Sequence, residues 1–533
     1  MLLEKRDSNF ENQIFILQNK LKNNLFDEVI QKAKLLLKKH RHERKILNGI
    51  PMLYNIISLA YQSKLDYNNS IRIMDEALKL NPKNIFYLNN MGISQHKNKD
   101  FFQAEKYFKR ALEIDPNYIN VLNNLANLKK DLDKVDEAIK YYEKSVSLNN
   151  NILITNYNLS SMYVQKGEYN KAVSYLEKTL KINPKFTTAD RTLSLITKYE
   201  KNNKHFIEMK EKKINLKLEN MEMVELNFAL GKAYEDRGDY EKSFQNYQEG
   251  NSTKKQFTKF DLALFHEECT NQKEVCTNDL FEQKKDWGLD SKEPIFILGL
   301  PRVGSTLLEQ ILSSHSQVEA THELPNILAL SHKLNLRKVL DKTSRYPDIL
   351  LSLSAPQLKL IGEHYINDAE IFRSNKPYFI DKMPNNFRHI GLIKLILPNA
   401  KIIDIRRSSM SACFSCYKQL FAEGQEFTYD FKDLAGYYNN YVELMDHWNH
   451  VLPNQILSID YENLVNNFEE SVHNILDYCN LDFEESCLNF YKSKRSVRTP
   501  SSEQVRQPIY KSGLDYWKNY ESYLGDLKKD LRY

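Results

Sequence analysis

At 533 residues, with 41% hydrophobic and 27% charged side chains, the chain is too long for a single core and has room for about three to four domain-sized units, fewer if one is a repeat array. Lys+Arg number 75 against Asp+Glu 70, so the net charge of +5 gives no ground for nucleic-acid binding. No window approaches the roughly 20 apolar residues that span a bilayer. The opening Met1 to Ser8 lacks the apolar run of a secretory signal, and six scattered cysteines do not make a disulfide framework, so a cytoplasmic chain without a membrane span is expected. Cys413 and Cys416 form a C-x-x-C with no second pair at zinc spacing, so no metal is expected and the two should pack on one helix.

Residues 51 to 184 repeat themselves. A step of 34 relates Ala77, Ala111, Ser145 and Thr179, and again Tyr67, Phe101, Val135 and Tyr169. Pro82, Pro116 and Pro184 share a slot, with Asn150 in the remaining one. A small residue where two helices cross, an aromatic at the second helix and a proline after it resembles the tetratricopeptide repeat. Small side chains such as Ala104, Ala138 and Ala172 let paired helices approach, and each pair buries its apolar face against its neighbour. Residues 224 to 250 carry another copy through Gly231, Tyr234, Gly238, Tyr240 and Tyr247, and Lys185 to Glu219 reads as a degenerate one. Phe26 to Ala33 resembles a second helix as well, so about six helix pairs are expected in an α-solenoid over residues 10–255. Such an array implies a protein or peptide partner on its concave face; the alternative is that it only caps the downstream domain or holds it as a homodimer.

Residues 256–292 read as a helical connector, periodic from Phe260 to Cys269 and ended by Lys284 to Gly288. The period then changes. Short β-rich runs at Ile295 to Leu298, Tyr378 to Ile380, Lys401 to Ile405 and Gln455 to Ile459 alternate with helical stretches. That order predicts a three-layer α/β domain with a parallel sheet over residues 293–533, its ligand site outside the carboxyl end of the first strand.

There the sequence runs Pro294-Ile-Phe-Ile-Leu-Gly-Leu-Pro-Arg-Val-Gly-Ser-Thr-Leu-Leu-Glu-Gln-Ile-Leu-Ser-Ser314: strand, tight loop, amphipathic helix. Free N–H groups and the dipole at such a helix start suit a phosphate or sulfate. Gly299 and Gly304 have the spacing of a nucleotide-triphosphate P-loop, but Ser305 stands where its lysine belongs. A phosphotransferase needs that ammonium, so this reading is disfavoured; the loop offers Arg302, Ser305 and Thr306 instead. The plainest alternative is an ordinary turn of a Rossmann-like domain.

Pro-Arg-x-Gly-Ser-Thr after a strand resembles the 5′-phosphosulfate loop of sulfotransferases that use 3′-phosphoadenosine-5′-phosphosulfate (PAPS), and four further places extend the resemblance. In Lys401 to Tyr417, Arg407 closes a strand and Ser415 follows eight residues later, matching the family's 3′-phosphate holders. Here Ser408-Ser409 replaces the usual Asp-Pro. Arg406 is the alternative holder, since strand alternation sends the two arginines to opposite sides. Glu323, in His322-Glu-Leu-Pro325 and 21 residues after Arg302, matches the general base of the tyrosylprotein sulfotransferases, with His322 a weaker rival. Lys382, in Phe379 to Asn386, matches their lysine at the bridging and leaving oxygens, with Asn385 and Asn386 as nearby donors. In Arg498 to Gly513, Ser501 matches the serine that assists the leaving phosphate; Lys511, with Trp517 and Lys518, resembles the closing Lys-Gly…Trp-Lys of the wider family.

The resemblance implies an enzyme that binds PAPS through Arg302, Gly304, Ser305, Thr306, Arg407, Ser415 and Lys511 and acts through Arg302, Glu323, Lys382 and Ser501 on an acceptor hydroxyl. Peptide tyrosine is the first candidate acceptor and a saccharide or lipid hydroxyl the second. The reading from a different class is a tetratricopeptide adaptor whose α/β half binds nucleotide without turnover.

Overall fold

The computed structural model describes residues 2–40, 49–321, 323–336, 346–374, 376–493, 495, 497, 504–511 and 513–533. They form two compact units, Met1–Tyr163 and Val164–Tyr533.

In the first unit the 34-residue step is the step of a helix pair. Tyr67, Phe101 and Val135 are each the first residue of a 14-residue second helix, Tyr67–Leu80, Phe101–Ile114 and Val135–Leu148. Asp66 and Asp100 cap two of these helices, accepting from the N–H groups of Asn69 and Gln103. The residue before each cap position turns the chain in the left-handed region: Leu65, Lys99 and Asp133 have φ of 59°, 67° and 58°. Ala77, Ala104, Ala111 and Ala138 are fully buried where helices cross. The first helix, Leu2–Lys22, lacks the repeat signature and is carried by Phe10, Ile14 and Leu17, all buried.

The second unit opens with the helix Tyr169–Ile182, its preceding turn made by Gly167 in the same slot of the step. Lys185 to Glu219, the degenerate copy, folds as Thr187–Leu195 and Lys204–Asn215, and the last copy as Asn220–Asp236 and Tyr240–Lys255. Among the described residues fourteen helices precede Phe257, seven pairs where the sequence predicts about six, and the second helix read at Phe26 to Ala33 is present as Phe26–His40. The connector forms the helices Leu262–Val275 and Asn278–Gln283 and packs into the α/β core, where Phe265 stacks on Tyr437 at 4.2 Å.

The sheet is parallel and five-stranded: β1 Pro294–Gly299, β2 Val318–Ala320, β3 Tyr378–Lys382, β4 Lys401–Arg406 and β5 Ile456–Asp460, in the order β2-β3-β1-β4-β5. The sequence shows four of these. β2 has three residues, Val318 and Ala320 pointing one way and Glu319 the other, too little for a periodic signal. β1 is buried throughout, as a central strand covered on both faces must be. Crossovers run from β1 to one side and from β3 to the other, so the carboxyl end of β1 is the switch point where open α/β sheets bind ligands. Asp381 lies opposite Phe296 and Asp404 opposite Leu298, which places both aspartates on one face. On that face the helices Ala355–Ala369 and Phe431–Val451 bring the hydroxyls of Tyr365 and Tyr441 to them at 2.7 and 2.5 Å.

Candidate active site

The loop after β1 is built for close approach. Gly304 has φ of 105° and packs against the Tyr461 ring, where a Cβ would fall 2.4 Å from a ring carbon. The helix Ser305–Ser313 starts at once, with Ser305 and Thr306 in its first turn. Arg302, at the crest, takes a left-handed φ of 67°, a conformation that a bulky side chain holds only when its surroundings enforce it. Part of that enforcement is Cys416, whose Sγ donates to the carbonyl of Pro301 at 3.1 Å. Burial pushes this thiol up to about 12, so it keeps the proton it donates. Cys413 and Cys416 thus share the helix Ser409–Tyr417, both buried and free of disulfides.

The two arginines at the end of β4 part company. Arg406 is two residues on from Asp404, hence on the same face, and its Nε donates to that buried carboxylate at 2.7 Å. Arg407 turns the other way: Nη1 lies 3.4 Å from Ser415 Oγ, Nη2 donates to the Gly513 carbonyl at 2.5 Å, and the guanidinium sits 5.0 Å from the centre of the Tyr461 ring. Tyr461, just after β5, therefore touches both the phosphate-type loop and the second arginine. Ser411, Phe414, Ser415 and Lys418 recur at helical spacing and present one face to a cavity of about 560 Å³. Arg302, Gly304, Ser305 and Thr306 line the same cavity, as do Tyr510 and Trp517.

Lys382 and Glu323 stand apart from it. Lys382 ends β3, in register with Ile297, rather than lying past the strand as the sequence predicts, and its ammonium pairs with the Glu323 carboxylate. The lysine is 2% exposed and the glutamate 50%. The turn that delivers Glu323 is pinned by Thr321, whose N–H and hydroxyl both donate to the Ile380 carbonyl, at 3.3 and 2.8 Å. Of the two asparagines, Asn385 is engaged with Tyr437 at 3.1 Å and Gly424 at 3.3 Å; Asn386 is buried, and neither polar atom of its side chain has a hydrogen-bond partner among the described residues. Lys511 is exposed, and its neighbours Tyr510 and Gly513 line the cavity where its own side chain does not. Ser501 and His322 lie outside the described residues. Sequence reasoning misses Tyr461, for which the aromatic directly after an expected strand end was the available signal, and reads Cys416 only as half of a C-x-x-C packed on a helix, not as a prop of the loop.

The described carboxyl ends thus run across one edge as Glu323, Lys382, the Arg302 loop, Arg407 and Tyr461, in strand order β2, β3, β1, β4, β5. Residues 294–485 match the model of the Sulfotransferase family, and residues 53–84, 84–151 and 117–185 match Tetratricopeptide repeat models. The chain carries a sulfotransferase-family domain behind tetratricopeptide repeats. Over 302 residues it is 35% identical to an uncharacterized protein of Aquifex aeolicus, covering 56% of this chain and 40% of that one. The protein-tyrosine sulfotransferase 2 of Gallus gallus is 24% identical over 253 residues, 44% of this chain and 66% of that protein. The protein-tyrosine sulfotransferase 1 of Homo sapiens is 27% identical over 186 residues, 33% of this chain and 43% of that protein. The chain therefore spans between 40% and 66% of the length of these relatives. Among solved structures, pilF of Pseudomonas aeruginosa superposes with a TM-score of 0.32 at 16% identity, covering 46% of this chain and 90% of that one. Among the described residues no helix is long and apolar enough to cross a membrane.

Proposed function

We propose that the sulfotransferase-family domain transfers the sulfuryl group of PAPS to an acceptor hydroxyl. The observation that carries this reading is that the Arg302 to Thr306 loop and the Arg407–Ser415 pair, two groups whose chemistry suits anions, line one cavity. A 5′-phosphosulfate and a 3′-phosphate on one ribose need such a pair, and an aromatic side chain such as Tyr461 or Trp517 suits the base between them.

In this reading the N–H groups at Ser305 and Thr306 and the Arg302 guanidinium hold the 5′-phosphosulfate. Arg407 and Ser415 hold the 3′-phosphate, and Lys511 adds positive charge beside Tyr510 and Gly513. Because Arg407 is on the β4 side of the loop, the sulfuryl end faces β3 and β2, where Lys382 and Glu323 wait. Glu323 takes the proton of the acceptor hydroxyl as its oxygen bonds to sulfur. Lys382 and Ser501 stabilise the oxygen that leaves when the bond from sulfur to the 5′-phosphate breaks. The products are a sulfate ester and adenosine 3′,5′-bisphosphate, and no metal enters the scheme.

For the acceptor we favour a tyrosine hydroxyl in a protein or peptide that the repeats present, supported by the half-exposed Glu323 and by the distant likeness to protein-tyrosine sulfotransferases. The test is to incubate the full chain with sulfur-35-labelled PAPS and parallel sets of tyrosine peptides, saccharides and lipids. Label on tyrosine, lost in Glu323→Ala, is expected. Label on a saccharide or lipid alone would move the acceptor class, and no transfer to any set would reduce the domain to a nucleotide-binding adaptor.

A further inference from the structure

The cavity does not end at the α/β domain. Thr197 and Lys198, on the turn after the helix Thr187–Leu195, and Lys232 and Asp236 on the helix Asn220–Asp236 line it together with Arg407 and Ser415. All of these residues belong to the unit Val164–Tyr533. We infer that the last repeats are themselves part of the nucleotide site, with Lys198 contributing a cationic contact to a bound adenosine 3′,5′-bisphosphate and Arg506 acting as a positioning residue for the cavity roof. The inference rests on the nucleotide reading proposed above and deepens it.

Three sets of contacts fix this wall. Lys232 donates to the Thr197 carbonyl and to Asp236, whose carboxylate also accepts from the Tyr199 N–H at 3.0 Å. The turn is therefore braced while the Lys198 side chain stays exposed at the rim. Next to Asp236, Glu235 accepts from Lys418 Nζ at 2.9 and 2.8 Å and from the Tyr520 hydroxyl at 2.9 Å. Lys418 is the residue one helical turn past Ser415 on the cavity face, and Asn251 Nδ2 reaches the neighbouring Tyr417 carbonyl at 2.9 Å. The repeats are thus bolted to the helix that carries the second anion site.

The roof is tied to the same array. Gln504, Val505 and Gln507 line the cavity, and between them Arg506 Nη2 donates to the carbonyls of Gln165 at 2.7 Å and Arg495 at 3.1 Å. Gly167, at φ of 80°, lets the guanidinium lie against the repeat turn; a Cβ there would stand 3.0 Å from Arg506 Nε. A nucleotide with phosphates at both the 3′ and 5′ positions carries several negative charges, and a lysine at the rim of a cavity that already holds two arginines adds to the field that draws it in.

The experiment uses the full chain and adenosine 3′,5′-bisphosphate. Calorimetric titration of Lys198→Glu, an exposed change that leaves the fold alone, is expected to show affinity about 2- to 5-fold weaker at low salt, with the loss fading as salt is raised. Arg506→Gln is expected to weaken binding about tenfold, Arg506→Lys to restore part of it, and the nucleotide-free melting temperature to stay put. Photolabelling with 8-azidoadenosine 3′,5′-bisphosphate is expected to mark peptides containing residues 195–199 or 232–236. If the unaltered chain binds the bisphosphate, an unchanged affinity for Lys198→Glu with label confined to residues 302–306, 407–418 and 504–517 would overturn the inference while leaving the nucleotide reading in place. Absence of binding by the unaltered chain would overturn both.

Discussion

The two ends of the sheet edge are built differently. At β1 and β4 the site is held in place: Gly304 against Tyr461, Arg407 against Ser415 and the Gly513 carbonyl, and the loop itself propped by Cys416. At the carboxyl ends of β2 and β3 an ion pair joins a buried lysine to a glutamate that is half in solvent. Under the proposed function this contrast is a division of labour, one end gripping the nucleotide and the other open to an acceptor that must enter and leave. It also explains why the nucleotide is easier to infer than the acceptor: a locked site needs a specific set of residues, and an open one defines less.

The strongest way to break that contrast is to act on the open end alone. Glu323→Gln is expected to lower the rate of transfer by about 10² to 10⁴ with the affinity for adenosine 3′,5′-bisphosphate unchanged, as initial rates and calorimetry would show. A parallel loss of nucleotide affinity would mean that the two ends are not separate. The adjacent arginines sharpen the same point. Arg406→Ala strands Asp404, 0% exposed, and is expected to destabilise the chain by about 3 to 5 kcal/mol in urea unfolding. Arg407 pairs with no carboxylate among the described residues, so Arg407→Ala is expected to leave unfolding nearly unchanged while removing about 2 to 3 kcal/mol of nucleotide affinity.

A third test concerns the floor of the open end. Burial pushes the Asp381 carboxyl from the usual 3.8 up to about 7, the Tyr365 hydroxyl offsetting only part of it. Because the folded value lies above the unfolded one, this group's favourable contribution is complete below pH ~4 and is lost as pH rises toward 7. Asp381→Asn, which does not titrate, is therefore expected to gain on the unaltered chain between pH 5 and 8, by on the order of 3 kcal/mol at the upper end. A difference independent of pH would show that the carboxyl is ionised throughout. The smallest effect is expected in the repeats: Leu65→Gly relieves a left-handed turn residue and should change stability by less than about 1 kcal/mol, since the glycine's own chain entropy opposes the gain.

What the sequence made legible follows the range of the physics involved. The 34-residue step, four of the five strands and the Gly299 to Thr306 loop are local patterns, set by period, turn chemistry and helix starts. The divergence of Arg406 and Arg407 was readable from strand alternation; which of them meets a carboxylate was not, because Asp404 had first to be placed on a face. β2 has too few residues to show a period, and Lys382 falls inside β3 because pairing with Ile297 extends the strand past its apolar run. Tyr461 and Cys416 meet the loop, and the Lys198 turn reaches its cavity, only through tertiary packing, which spacing along the chain does not encode.

In the proposed function one cavity holds both phosphate ends of a single nucleotide. Titrating adenosine 3′,5′-bisphosphate and, separately, ATP with magnesium into the unaltered chain tests it most directly. Saturable binding of the bisphosphate with none of ATP is the predicted result; tight magnesium-dependent ATP binding with no response to the bisphosphate would contradict it.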